Sequence, residues 1–322
     1  MRPFLFVLVA LVVLSSHDMY LRLDSYFLPP DSEATIQLYN GTFDRSDNTI
    51  DRSRMQDVSL VAGGTRTPVD SSQWREEGET TVLDFTTGAA GTYVAGVSTR
   101  ARSIALAAAD FNDYLEHDGV VDMLETRRRT GQLEQDAVEL YSKHVKTIFQ
   151  VGDRWTDDWS TPLHYPIEFI PLSNPYDLHA GDSLQVVLQF RDQPLSDQLV
   201  LIGNDHEHSH SHDGDTHAHA GAELRTDARG TLTIPIASDG TWHLRTILMT
   251  ESEQEGLTHE SNWATLTFAV DHGQPHSHAA GAEHDHAYGH EHEHTWGIPG
   301  YAYLLGSLAL LGALFLYFNR RT

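Results

Sequence analysis

The sequence contains no cysteine among its 322 residues. Disulfide bonds and thiolate metal sites are therefore excluded. Any metal ion that the chain binds must use imidazole, carboxylate or backbone ligands, or the terminal amine.

Basic residues are also few, and only Lys143 and Lys146 are lysines. The chain has 21 lysines and arginines against 46 acidic residues, which gives a formal net charge of -25 at pH 7. Such a surface repels the phosphate backbone of nucleic acids and attracts cations. A nucleic-acid partner is therefore not expected.

Recognisable catalytic motifs are lacking as well. The chain has no nucleophile elbow, no phosphate-binding loop and no pair of catalytic carboxylates. Residues 206–210 and 290–294 match the zinc-protease pattern HExxH in letters. Neither segment has the apolar periodicity of a buried helix, so the match follows from alternating histidine and acid. We expect a protein that is not an enzyme.

Long apolar runs occur only at the two ends of the chain. Residues 1–16 combine a basic start, a short apolar stretch and small residues, as in a secretory signal peptide. Residues 298–318 are uncharged and would span about 31 Å as a helix, which predicts one transmembrane segment. Arg320 and Arg321 follow it. We therefore expect a single-pass protein of the cell (inner) membrane, with a cytoplasmic C-terminus and its bulk in the periplasm or outside the cell.

Histidine is the residue that the sequence has in excess, because 14 of its 21 histidines lie in two short tracts. Imidazole is the usual side-chain ligand for zinc, nickel, cobalt and copper, so the tracts predict weak binding of several divalent transition-metal ions. The predicted ligands are His206, His208, His210, His212, His217 and His219 in the first tract, and His272, His276, His278, His284, His286, His290, His292 and His294 in the second. The alternative is that both tracts are solvated spacers.

Between the two ends, alternating apolar and β-branched residues predict a mainly β fold. We expect an N-terminal β-rich domain at 17–100 and a C-terminal β-sandwich at 160–270, both Ig-like. The predicted strands are 35–39, 58–62, 81–85, 92–97, 167–170, 183–190, 198–202, 231–236, 241–249 and 263–270. A histidine-rich loop at 203–222 is inserted at an edge of the sandwich, and a histidine-rich linker at 271–296 leads to the membrane.

Residues 101–152 are predicted to form a helical segment between the two β-rich parts. Apolar residues there recur at three- and four-residue spacing, for example Phe111 and Leu115, and then Val138, Tyr141 and Val145. That spacing is typical of an amphipathic helix.

Several segments resemble one bacterial family. They are HDMYLRLDSYFLPP at 17–30, FNDYLEHDG at 111–119, YSKHVKTIFQVGD at 141–153, PIEFIPLSNPYDLHAGDSL at 166–184, RDQPLSDQLV at 191–200, GTWHLRTILM at 240–249 and SNWATLTF at 261–268. The family is a domain family of unknown function that is labelled as the periplasmic component of cobalt and nickel uptake systems of the energy-coupling-factor type. The resemblance implies a non-enzymatic accessory protein beside the membrane subunit of a metal transporter. The histidine tracts are not part of the shared pattern.

The resemblance also points to His17, where mature chains of this family often begin. If the signal peptide is cleaved after Ser16, the terminal amine and the His17 imidazole could chelate one copper or nickel ion together, with Asp18 nearby. The alternative is that His17 only precedes the first strand.

Three functions fit these patterns. The first is a membrane-anchored metal-binding accessory protein for nickel or cobalt uptake. The second is a copper or zinc buffering or sensing protein of the same build, and the third is a structural or interaction module of the cell envelope without a metal role.

Overall fold

The structure, a computed structural model, describes residues 17–205 and 221–271. The predicted signal peptide, the two histidine tracts and the predicted transmembrane segment lie outside the described residues. Within the two described ranges, no helix is both long enough and apolar enough to cross a membrane.

The described residues form eighteen strands and two α-helices. The first half contains β1 (Asp18–Arg22), β2 (Phe27–Leu28), β3 (Glu33–Gly41), β4 (Met55–Ala62), β5 (Thr65–Pro68), β6 (Trp74–Glu77), β7 (Thr80–Thr86), β8 (Gly91–Thr99), β9 (Arg102–Leu106), α1 (Ala108–His117) and α2 (Val121–Thr130). The second half contains β10 (Ala137–Val151), β11 (Ile167–Pro171), β12 (Ser183–Phe190), β13 (Gln193–Pro194), β14 (Leu199–Asn204), β15 (Ala222–Arg225), β16 (Thr231–Pro235), β17 (Gly240–Glu251) and β18 (His259–Val270).

The strands form three sheets, of which the largest has ten strands and is called the central sheet below. Its main path runs β15-β14-β17-β18-β10-β8-β4-β5, and β2 and β9 also pair with β10. The first outer sheet has the order β1-β3-β7-β6, and the second consists of β11, β12, β13 and β16. Strands from 17–100 and from 160–270 therefore share the central sheet, and hydrogen bonds join the two β-rich parts.

The two outer sheets pack on opposite faces of the central sheet. Alternate residues along a central-sheet strand point to opposite faces and therefore contact different outer sheets. On β8, Val94 packs against the second outer sheet, whereas its neighbours Tyr93 and Ala95 pack against the first. On β10, Ile148 packs against the second outer sheet and Phe149 packs against the first. The result is a sandwich-like fold with the central sheet in the middle.

All ten strands predicted from the sequence are present, and their bounds differ from the prediction by a few residues. The prediction missed short strands at edges, such as β5 and β15, which are mostly exposed and carry little apolar signal. Strand β15 follows the first histidine tract and pairs with β14 at the edge of the central sheet. The residues that flank the predicted histidine-rich loop thus belong to β14 and β15, while the loop itself lies outside the described residues.

The predicted helical segment at 101–152 is wrong for its second half. Helices α1 and α2 occupy its middle, but β9 precedes them and the fifteen residues of β10 form a central strand. Most of β10 is buried on both faces. Polar residues of β10 such as Lys143, His144 and Lys146 are also buried, so apolar and polar residues do not alternate with exposure as they do in a half-buried strand. Val138, Tyr141 and Val145 satisfy helical spacing without forming a helix.

Both helices pack on the face of the central sheet that also carries the first outer sheet. Phe111 of α1 and Leu124 of α2 form a third core with Trp263 and Ile247 from β18 and β17. Strand β1 lies beside this core, where Thr265 donates a hydrogen bond from Oγ1 to the carbonyl oxygen of Met19 at 2.8 Å.

Arg245 of β17 lies buried where β1 and the helices meet. Its Nε bonds to the carboxylate of Asp18 on β1, and its Nη2 donates to Oδ1 of Asp118, which follows α1, at 2.8 Å. Burial lowers the pKa of Arg245, but the charges of Asp18 and Asp118 more than offset this effect, so the net shift is upward. One cation thus neutralises two buried carboxylates.

We predict that Arg245→Gln lowers the free energy of unfolding by about 3–5 kcal/mol, because it leaves two buried carboxylates without their counter-charge. Urea unfolding followed by tryptophan fluorescence measures the change. Arg229→Gln is the matched control, since Arg229 is 84% exposed and should shift stability by less than about 0.5 kcal/mol. Equal stabilities of the two variants would contradict the role assigned to Arg245.

Candidate metal-binding regions

The structure tests the position of only one predicted metal ligand directly, because His17 is described and the fourteen tract histidines are not. It does describe the residues on either side of the first tract and before the second tract. These flanks are Asp205, Gly221 and Asp271.

The flanks of both tracts lie at the same end of the central sheet. Strand β14 ends at Asn204, which pairs with Trp242 near the start of β17. Trp242 in turn pairs with Phe268 near the end of β18. The first tract therefore leaves β14, and the second leaves β18, with only β17 between them. Two strand spacings correspond to about 10 Å.

Close backbone contacts fix the residues on either side of the first tract. Asp205 donates its backbone N–H to the carbonyl oxygen of Thr241 at 3.1 Å, and its Oδ1 accepts from the N–H of Thr241 at 2.9 Å. On the other side, a Cβ placed on Gly221 would lie 2.2 Å from the carbonyl oxygen of Ile202. A larger residue at 221 would force β14 and β15 apart.

His17 directly precedes β1, and the carboxylate beside its imidazole is that of Asp47. Its Nδ1 is 3.2 Å from Oδ2 of Asp47, and Arg45 binds the other carboxylate oxygen of Asp47 at 2.6 Å. Asp18, the predicted neighbouring ligand, is instead committed to its buried ion pair with Arg245. The residue that could share a metal ion with His17 is therefore Asp47.

Lys143 of β10 contacts the backbone of His17. Its Nζ donates to the carbonyl oxygen of His17 and lies 4.8 Å from the centre of the Trp263 ring. Burial lowers the pKa of Lys143 from 10.5 to about 8, and the charge of Asp18 opposes this shift. Sequence reasoning missed Lys143, although Lys143 and Lys146 are the only lysines in the sequence and both lie in β10.

The other histidines that the structure describes do not form a metal site. Burial lowers the pKa of both His144 and His259 to about 4, so both are neutral at pH 7. Ser98 and Ser142 occupy the two ring nitrogens of His144 at 2.9 and 3.0 Å. His243 stacks on Phe43 with ring centres 4.0 Å apart. Across 17–205 and 221–271, no three histidine or acidic side chains are grouped as metal ligands.

These features define a mainly β, sandwich-like protein with two histidine-rich segments attached at one end of its central sheet. The chain belongs to the family described as Domain of unknown function (DUF4198), which matches residues 14–250. The predicted membership in a domain family of unknown function is thereby confirmed. No curated protein matches the chain.

Several solved structures show limited similarity. The D0-D1 domain of Intimin is 11% identical, with 78% of this chain and 97% of that chain covered and a TM-score of 0.18. The Yersinia pseudotuberculosis adhesin InvE is 13% identical, with 78% and 58% covered and a TM-score of 0.19. The chicken CNTN1 FN1-FN3 domains are 6% identical, with 79% and 65% covered and a TM-score of 0.19. At these TM-scores the similarities carry no functional argument.

We predict that the stability difference between the wild type and Lys143→Met depends on pH. The pKa of Lys143 is about 8 in the folded chain and about 10.5 in the unfolded chain, so between these values the unfolded chain binds the extra proton. Wild-type stability should therefore rise relative to the variant from pH 8 to 10, by on the order of 1 kcal/mol per pH unit.

Urea unfolding of both proteins at a series of pH values measures this difference. Buried tyrosines titrate in both proteins and cancel in the comparison. A difference that stays constant between pH 8 and 10, or that falls, would contradict a buried lysine with a lowered pKa.

Proposed function

We propose that the protein is an extracytoplasmic, membrane-anchored metal-binding accessory protein that supplies nickel or cobalt to an uptake system. The signal peptide and transmembrane segment predicted from the sequence supply the location. The two histidine tracts supply the ligands, and a metal transporter membrane subunit is the proposed partner. The activity is binding and transfer of ions, without a chemical reaction.

The observation that supports this proposal most is the common origin of the two tracts. Asp205 and Asp271 lie at one end of the central sheet, with β17 between their strands. Both tracts therefore leave the described part of the chain from neighbouring positions, and we propose that their histidines bind the metal ions.

The electrostatics of the chain favour the same function. A formal net charge of -25 concentrates cations near the surface, and the acidic residues between the tract histidines add carboxylate ligands. Neutral imidazole binds the metal, so binding competes with protonation at a pH of about 6.5. This pH dependence distinguishes imidazole sites from sites made of carboxylates alone.

A more selective site at His17 is the second candidate. Asp47 adjoins the imidazole at 3.2 Å, and cleavage after Ser16 would add the terminal amine as a third ligand. Amine and imidazole nitrogens favour copper over nickel in the Irving–Williams order. A dominant site of this kind would support the alternative function of copper buffering or sensing.

We predict that replacing all fourteen tract histidines with asparagine removes most of the Ni²⁺ that the protein binds at pH 7.5. Replacing only the six of the first tract or only the eight of the second should remove only part of the bound Ni²⁺. Equilibrium dialysis with metal analysis of the full chain measures both number and affinity.

The matched control is His117→Asn with His179→Asn, which removes two exposed histidines outside the tracts and should leave binding unchanged. Adding His17→Ala to the tract variant then tests the second candidate, since it should remove the last tightly bound Cu²⁺. If the variant without tract histidines binds as much Ni²⁺ as the wild type, the proposed function is wrong. If neither protein binds metal, the envelope module without a metal role is favoured.

A further inference from the structure

A cleft of about 440 Å³ lies between the second outer sheet and the central sheet, away from the tract flanks. Its polar lining includes His164 before β11, Arg191 and Asp192 between β12 and β13, Glu260 with Asn262 on β18, and Ser142 on β10. None of these residues takes part in the proposed metal-binding region.

The backbone around the cleft adopts unfavourable conformations. Three of the five non-glycine residues with positive φ in the described chain line it: His164 at 55°, Arg191 at 52° and Asp192 at 60°. Arg191 and Asp192 form the two-residue turn between Phe190 and Gln193. Turns with positive φ at both positions favour Asn-Gly, which avoids the steric penalty. The chain therefore accepts a loss of stability to place an arginine and an aspartate here.

A buried ion pair holds His164 in its unfavourable conformation. The carboxylate of Glu168 accepts the backbone N–H groups of Leu163 at 3.0 Å and His164 at 2.9 Å. Lys146 balances that carboxylate at 3.2 Å, and both partners are almost fully buried. Backbone strain that the surroundings enforce in this way is concentrated at functional sites.

The side chain of His164 is oriented as well. Its Nδ1 lies 2.8 Å from Oδ1 of Asp192, and the neutral tautomer that donates this Nδ1 proton to the carboxylate has Nε2 as an acceptor. Asp192 thus orients the imidazole of His164, and both residues have positive φ.

Opposite charges line the two walls of the cleft. The guanidinium of Arg191 lies 4.8 Å from the centre of the Phe190 ring and has no carboxylate partner among the described residues. Glu260, on the other wall, accepts from Oγ of Ser252 at 2.8 Å through one oxygen. The guanidinium of Arg191 therefore offers a planar set of N–H donors that matches a ligand carboxylate.

We propose that this cleft binds a small zwitterion of the amino-acid class, such as a free amino acid or a dipeptide. Arg191 binds the carboxylate of the ligand, Glu260 binds its ammonium group, and Nε2 of His164 accepts a ligand N–H. The site is independent of metal binding by the histidine tracts.

Calorimetric titration of the full chain in the presence of EDTA tests the site, with the dipeptide Ala-Ala as the probe. Ala-Ala should bind with 1:1 stoichiometry, whereas N-acetyl-Ala-Ala-amide, which lacks both charges, should not bind. Arg191→Gln and Glu260→Gln should each weaken binding at least about tenfold, and Arg229→Gln, which lies outside the cleft, should have no effect.

A second variant separates binding from folding. Replacing Arg191-Asp192 with Asn-Gly gives the turn its favoured residues, so the melting temperature should rise by on the order of a few degrees while Ala-Ala binding is lost. The proposal is overturned if Ala-Ala does not bind at concentrations up to about 10 mM, if the blocked peptide binds equally well, or if the Asn-Gly variant binds like the wild type.

Discussion

The fold depends on the charge balance around Arg245. This arginine is buried between three elements that are far apart in sequence, and it binds Asp18 on β1 and Asp118 after α1. Burying one of these charges alone would be strongly unfavourable, so the three assemble together or not at all. The arrangement places β1, and with it His17, against the central sheet. It also sets the helices beside β17 and β18, while the first histidine tract follows β14 and the second follows β18.

Much of the fold was predictable because strand signals are local. Alternation of apolar and polar residues located ten strands, including β12 and β17, from their own sequences. Strand β10 was predicted as a helix because burial on both faces removes that alternation. It could not be predicted that the two β-rich parts share one central sheet, since the parallel pairing of β10 with β18 joins residues about 120 positions apart.

The candidate site was predictable in composition but not in geometry. Histidine enrichment identified the tracts, yet their common end follows from the pairing of β14, β17 and β18. Asp47 near His17 likewise comes from the turn after β3, which no local pattern connects to the N-terminus. The cleft at His164 left no sequence signal, because positive φ at an arginine or histidine is set by tertiary contacts.

The central claim is that the histidine tracts bind divalent metal ions through imidazole. It is tested most directly by X-ray absorption spectroscopy of the full chain with Ni²⁺ bound, and the absence of cysteine from the chain removes sulfur ligands from the analysis. The account predicts the outer-shell scattering of two or more imidazole rings per nickel ion, and this signal should disappear when the fourteen tract histidines are replaced with asparagine. Nickel ions surrounded by oxygen ligands alone would contradict the account.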